Sequence, residues 1–267
     1  MLDQVKNIVA VASGKGGVGK STTAVNTALA LKLLGKSVGL LDADIYGPSI
    51  AMMLGVAEDH RPEVVNEKFF KPVMAHGIAT ISMAYLTTDK TPMVWRGPMA
   101  AGALQQLLQQ TDWGELDVLL VDMPPGTGDI QLTLAQKAQI SGAVIVTTPQ
   151  NIALLDAKKG IEMFVKVKIP VLGIVENMAT HICSNCGTEE SIFGQGGGEK
   201  VAEQYATQLL GSLPLDKAIR EQGDAGKPIS MTDIDPEISS RYVKIAENLL
   251  AQLEQSDSQS APQIVFD

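Results

Sequence analysis

Val11-Ala12-Ser13-Gly14-Lys15-Gly16-Gly17-Val18-Gly19-Lys20-Ser21-Thr22 is the stretch that decides how this chain folds. An apolar, β-branched segment, Asn7-Ile8-Val9-Ala10-Val11-Ala12, runs into it, and a helical pattern over 24–34 runs out of it. Gly14, Gly19, Lys20 and Ser21 fit G-x-x-x-x-G-K-[ST] in the strand–loop–helix setting of a phosphate-binding loop. Glycines at 14, 16, 17 and 19 allow a tight turn whose N–H groups point inward, and the helix N-terminus behind them favours negative charge. Lys20 is then placed to meet the β- and γ-phosphates, and the Ser21 hydroxyl to meet Mg²⁺. Lys15 adds a second cation just after the first glycine, in a chain whose formal net charge is -9. It is either a solvated lysine or a charge meant for a triphosphate, its own or one held by a neighbouring subunit.

Working outward, the residues at 36–41 read as a second buried strand ending in Asp42-Ala43-Asp44-Ile45-Tyr46-Gly47-Pro48. The residues at 116–122 read as a third, Leu116-Asp117-Val118-Leu119-Leu120-Val121-Asp122, whose apolar run suits a central strand covered on both faces. Parallel strands deliver their C-terminal ends to one edge, so Asp42, Asp44 and Asp122 should arrive near the phosphate loop. Asp122 and Asp42 are candidates for the magnesium shell and Asp44 for orienting the attacking water. One of the pair 42/44 capping a turn before Gly47-Pro48 is the plain alternative. Met123-Pro124-Pro125-Gly126-Thr127-Gly128-Asp129 follows, and Gly126 is a candidate to offer its N–H to a γ-phosphate and flip when that phosphate leaves.

Further strands are expected at 77–83, 140–147 and 171–178 and a short one at 208–213, with helices at about 99–110, 152–166 and 238–255. The 99–110 helix carries apolar residues at 103, 104, 107 and 108, one buried face. Sustained alternation of strand and helix is the pattern of an α/β fold with a doubly wound, mostly parallel sheet. Asn177, at a strand end, can read a nucleotide base through an amide that both donates and accepts. Positions 55–77 are the least regular, His60 and His76 lack metal-spaced partners and read as surface residues, and Trp95-Arg96 marks either a contact surface or core packing. Residues 1–255 are expected to form the ATPase domain, with an insertion at 178–198 and a flexible tail at 256–267.

That insertion holds the only two cysteines, in His181-Ile182-Cys183-Ser184-Asn185-Cys186-Gly187. C-x-x-C in a polar loop suits a metal centre or a redox disulfide better than a buried structural pair. Tetrahedral zinc and cubane clusters commonly take four protein ligands; one chain offers Cys183 and Cys186, with His181 a distant third, and two chains about a twofold axis would offer four. Composition narrows the rest. At 267 residues and 45% hydrophobic the chain can bury a substantial core. Its acidic balance, pI near 4.9, argues against bulk nucleic-acid binding or an anionic membrane surface. Neither a signal-peptide pattern nor a bilayer-length apolar run is visible, so a reducing cytoplasm is expected.

Gly14-Lys15-Gly16-Gly17-Val18-Gly19-Lys20-Ser21-Thr22, with its early second lysine, resembles the deviant Walker A motif of the SIMIBI class of P-loop ATPases, which includes nitrogenase iron protein, MinD and ParA. Within that class Asp42 to Ser49, Asp122 to Asp129, Val175-Glu176-Asn177-Met178 and Cys183-Ser184-Asn185-Cys186-Gly187 followed by Phe193-Gly194 resemble the Mrp/ApbC iron–sulfur cluster carriers. The resemblance implies an ATP-hydrolysing homodimer that carries a [4Fe–4S] cluster on Cys183 and Cys186 of each subunit and hands it to apo-proteins. It also implies that Lys15 reaches the partner's nucleotide. Some bacterial members have an extra N-terminal domain, whereas here the phosphate loop starts within the first fifteen residues. Eukaryotic cytosolic members have an N-terminal four-cysteine cluster, and this chain has no cysteine before 183. Two other readings stay open: a MinD- or ParA-like positioning ATPase acting on membrane or DNA, and an ATPase whose cysteines form a zinc staple.

Overall fold

Val5–Ala12 becomes the central strand because every residue from Ile8 onward is apolar and can be buried on both faces. Successive side chains of a strand point to opposite faces. Ile8, Ala10 and Ala12 accordingly enter one core, and Val9 and Val11 the other. The computed structural model describes residues 2–57, 59–65, 68–86, 97–183 and 185–260.

In chain order, β1 (Val5–Ala12) leads through the phosphate loop into α1 (Lys20–Leu33) and β2 (Val38–Asp42), followed by the short α2 (Ile50–Met53). A small hairpin, β3 (Val64–Val65) and β4 (Phe69–Phe70), precedes β5 (Val73–Ala75) and β6 (Ile78–Ser82). Then come α3 (Gly97–Gln110), β7 (Leu116–Asp122), α4 (Asp129–Lys137), β8 (Gly142–Thr147), α5 (Asn151–Lys166) and β9 (Val171–Glu176). The cysteine segment forms a second hairpin, β10 (His181–Ile182) and β11 (Glu189–Glu190), after which α6 (Gly197–Gln204), β12 (Leu209–Ser212), α7 (Lys217–Asp224) and α8 (Pro236–Ser260) complete the chain.

The main sheet runs β12-β9-β8-β1-β7-β2-β6-β5, parallel throughout except where β5 adds antiparallel to β6. Helices α3, α4, α5 and α6 cover one face through Leu104, Leu107, Leu134, Phe164 and Val201. Helices α1, α2, α7 and α8 cover the other through Leu29, Ile50, Ile219, Tyr242 and Leu249. This is the doubly wound α/β architecture expected. Because α1 lies between the sheet and α8, it is buried nearly all round, and its one buried amide, Asn26, is satisfied at both ends: Nδ2 donates to Thr22 O (2.9 Å) and Oδ1 accepts from Ser230 N (3.1 Å).

Several local expectations differ from the structure. Positions 55–77, the least regular stretch in the sequence, carry three strands of two or three residues each, the β3–β4 hairpin and β5. His76 is not a plain surface residue: it is half-buried, in the left-handed region at φ 47°, and its Nε2 lies 3.1 Å from both Leu54 O and Gly226 O. Two acceptors on one nitrogen require the Nε2–H tautomer. Residues 256–260, expected in a flexible tail, continue α8, since nothing in Gln252-Leu253-Glu254-Gln255-Ser256 breaks a helix and Ser256 Oγ bonds back to Gln252 O (3.0 Å). Trp95-Arg96 and the rest of the expected tail, 261–267, lie outside the described residues.

Candidate functional site

All the C-terminal strand ends of the parallel sheet meet one edge, and β1 lies between β7 and β8, two strands far from it in sequence, so a crevice opens there at the end of β1. The phosphate loop fills it. Gly14 packs directly on the Asp156 carbonyl of α5, Gly16 and Gly17 are exposed at the rim, and Val18 is buried beneath. Gly19, at φ 83°, is the N-cap of α1, and Ser21 and Thr22 occupy the first turn with their residues half-buried. Lys15 is half-buried and has no ion pair among the described residues.

Lys20 is buried and its ammonium lies 2.7 Å from Asp122 Oδ1 and 3.4 Å from Ser21 Oγ. Asp122 is fully buried and its second oxygen, Oδ2, has no hydrogen-bond partner among the described residues. Asp42 stands beside it, since β2 and β7 pair with Asp42 directly opposite Asp122. Asp42 accepts from Ile50 N and Asp44 N, each at 3.2 Å, and from Ser82 Oγ at 3.1 Å. Burial, then the neighbouring Asp122, raises the Asp42 carboxyl from its ordinary 3.8 to about 7. Burial also raises Asp122, against the opposing pull of Lys20, and Asp44 adds a further negative neighbour. Asp42, Asp44, Asp122, Lys20 and Ser21 are therefore brought together as the sequence suggested. An orphaned carboxylate oxygen among hard oxygen donors suits Mg²⁺.

Gly126 lies beside the phosphate loop. Its φ is 98°, which glycine adopts without penalty. Its N–H donates to Ser13 O (2.9 Å), so the phosphate loop itself holds the group expected to face a phosphate. Ser13 is in turn braced by its hydroxyl on Lys15 O (2.9 Å), and Gln131 Nε2 pins the diproline through Pro125 O (2.6 Å). Asn177 also does more than line a pocket: its Nδ2 donates to Val18 O (2.9 Å) and lies against Gly19, leaving no room there for a Cβ.

Beside Gly19 and Thr22 opens a cleft of about 320 Å³, walled by Met53, Met178, Pro214 and Leu215 with Asn177, Asp216, Arg220 and Asp224 as polar groups. Apolar walls with a few polar groups, adjoining a phosphate loop, suit a nucleoside. Sequence reading missed Ser13, Ser82, Gln131, Met53 and the 214–216 wall. Ser82 is found only once β6 is known to flank β2; Pro214-Leu215-Asp216 could have been suspected from its place after a strand.

The cysteines sit at the tip of the β10–β11 hairpin. Cys183 is half-buried and Cys186 exposed, both as free thiols. Cys183 N donates to Thr188 O (2.9 Å) and Gly187 N to Cys183 O (2.8 Å). The Thr188 hydroxyl, 3.2 Å from Cys186 Sγ, together with Cys183, holds the Cys186 thiol below its ordinary 9.0. His181 is no ligand through Nδ1, which is 3.0 Å from Leu215 O, and among the described residues no group of three or more His, Cys, Asp or Glu is placed to hold a metal. No helix among them is long and apolar enough to cross a membrane.

A lysine-bearing glycine loop at the edge of a parallel sheet, a strand-end carboxylate on that lysine with a second one opposite it, and a nucleoside-sized cleft define a P-loop NTPase. The chain matches the ParA family model described as NUBPL iron-transfer P-loop NTPase over residues 4–250, and it belongs to that family. It is 64% identical to an iron–sulfur cluster carrier protein of Pseudomonas fragi, over 92% of this chain and 85% of that one. It is 61% identical to the iron–sulfur cluster carrier protein of Escherichia coli K12, over 94% of this chain and 68% of that one, and 48% identical to the mouse iron–sulfur cluster transfer protein NUBPL, over 96% and 80%. A nucleotide-binding protein of Archaeoglobus fulgidus in complex with ADP superposes with TM-score 0.77 at 38% identity, covering 90% of this chain and 93% of that one. The cell-division ATPase MinD of Pyrococcus furiosus shares the fold, with TM-score 0.69 at 22% identity over 92% of this chain and 99% of that one.

Proposed function

We propose that this protein is an ATP-hydrolysing carrier of iron–sulfur clusters, which holds a [4Fe–4S] cluster as cargo between two copies of the chain and delivers it to apo-proteins in the cytoplasm. The observation that carries the reading is the cysteine hairpin: two accessible thiols presented at its tip, half of a four-thiolate site, on a chain that also bears a complete phosphate loop. A second copy about a twofold axis supplies the other half. The names borne by the relatives from Pseudomonas fragi, Escherichia coli and mouse support the same cargo.

In this reading Gly14, Gly16, Gly17, Val18 and Gly19 wrap the phosphates with backbone N–H groups, and Lys20 exchanges the Asp122 carboxylate for phosphate oxygen. Ser21, Asp42 and Asp122 would hold Mg²⁺, which draws charge from the phosphates. Asp44 orients water, Lys15 reaches the nucleotide of the partner, and Asn177 with Asp216 meets the nucleoside. Anaerobic reconstitution with iron and sulfide tests the cargo. About four irons and four labile sulfides per dimer, absent in Cys183→Ala, are expected. Zinc without labile sulfide would instead leave an NTPase with a structural metal and end the carrier reading.

A further inference from the structure

We infer that His181 is a positioning residue that ties the cysteine hairpin to the wall of the nucleoside cleft, so that occupancy of the cleft changes the disposition of Cys183 and Cys186. The inference rests on the nucleotide site of the preceding reading but not on the identity of the cargo.

The chain from the end of β9 to the hairpin runs alongside the chain leaving β12 as a continuation of their parallel ladder. Leu213 N donates to Glu176 O (2.9 Å), Ala179 N to Leu213 O (2.9 Å) and Leu215 N to Thr180 O (2.7 Å). The next rung should come from a backbone N–H two residues beyond Thr180. There the chain has already turned into β10, and the His181 imidazole takes the rung instead, with Nδ1 3.0 Å from Leu215 O. A carbonyl can only accept, so Nδ1 carries the proton.

Both ends of this zipper lead somewhere. Leu215 and Asp216 wall the cleft, and Asp216 Oδ1 accepts from Ala218 N (2.6 Å) to cap α7, fixing the wall to a helix. On the other side Asn177, six residues before Cys183, grips the phosphate loop through Val18 O. The hairpin itself is short and internally bonded: His181 pairs with Glu190, Ile182 with Glu189, and Cys183 with Thr188. It therefore moves as a unit about its root. The return leg is anchored as well, since Gly198 N at the start of α6 donates to the buried Glu176 carboxylate (2.6 Å). A nucleoside pressing on Leu215 and Asp216 thus shifts the rung that His181 makes, and the hairpin tip follows. By linkage, metal on the thiols alters nucleotide affinity by the same factor.

The test is the rate of maleimide labelling of the two thiols in the full chain, without iron, in the presence and absence of Mg-ADP. In the wild type the two rates should differ by about fivefold, what one net hydrogen bond sustains. His181→Gln, which moves the donor away from the Nδ1 position, should bring the two rates within twofold while ADP affinity and melting temperature stay near wild type. His181→Asn, whose amide N–H lies where Nδ1–H was, should restore the difference. Zinc loading should shift ADP affinity in the wild type and His181→Asn but not in His181→Gln. Wild-type thiols indifferent to nucleotide, or Gln and Asn variants that respond alike, would overturn the inference. A cargo other than an iron–sulfur cluster leaves both readouts intact.

Discussion

Replacing Asp42 by asparagine should stabilise this protein in the absence of metal and nucleotide, and only above acidic pH. The Asp42 carboxyl has its value raised from 3.8 to about 7 by burial and by Asp122. The folded state therefore binds a proton that the unfolded chain has already lost over that window, and stability falls as pH rises through it. The span from 3.8 to about 7, at 1.36 kcal/mol per pH unit, amounts to about 4 kcal/mol of cost by pH 8. Asparagine carries no charge to desolvate. Its carbonyl can keep the bonds from Ile50 N and Ser82 Oγ, and its NH₂ takes the place of the oxygen that accepts from Asp44 N, in a residue directly opposite Asp122. The bond from Asp44 N is lost, costing about 1 kcal/mol. The net gain is about 3 kcal/mol at pH 8 and under about 1 kcal/mol at pH 5. At roughly 2–4 °C per kcal/mol for a chain of this size, that is a rise of about 6–12 °C in melting temperature at pH 8. Thermal unfolding in chelator at both pH values measures it, alongside ATP turnover, which the variant should lose. An Asp42→Asn protein no more stable than wild type at pH 8, or equally stabilised at pH 5, would refute the account of this carboxylate pair.

Lys15→Gln should bind ATP within a few-fold of wild type, because the side chain has no ion pair within the described chain, yet lose hydrolysis by about a hundredfold or more if it serves the partner's nucleotide; turnover kept at the wild-type level would return Lys15 to an ordinary surface lysine. Gly19→Ala should cost about 3 kcal/mol, combining a left-handed alanine with displacement of the Asn177 amide from Val18 O. In an Asn177→Ala background the same substitution should cost markedly less by urea unfolding, and equal costs in both backgrounds would show that the close approach is not the cause.

The phosphate loop, the strand-end aspartates and the C-x-x-C spacing were legible in the sequence because each is local. Glycine, lysine and serine at fixed offsets need only one turn of chain to become a phosphate cradle, and an apolar run ending in aspartate needs only to be a buried strand. The alternation of such runs with helical periods was enough for an α/β sheet. Sheet order was not legible, because which strand lies beside which is settled by how the helices cover the two faces rather than by any one segment. Only that order puts Asp42 opposite Asp122, brings Ser82 to Asp42, and thereby makes a buried carboxylate with a raised affinity for protons. The same holds for Gly126 on Ser13 O and for His181 on Leu215 O, contacts between residues 113 and 34 positions apart. Local chemistry is written in the order of the residues, whereas the partners that buried polar groups find across a folded core exist only after the chain has packed.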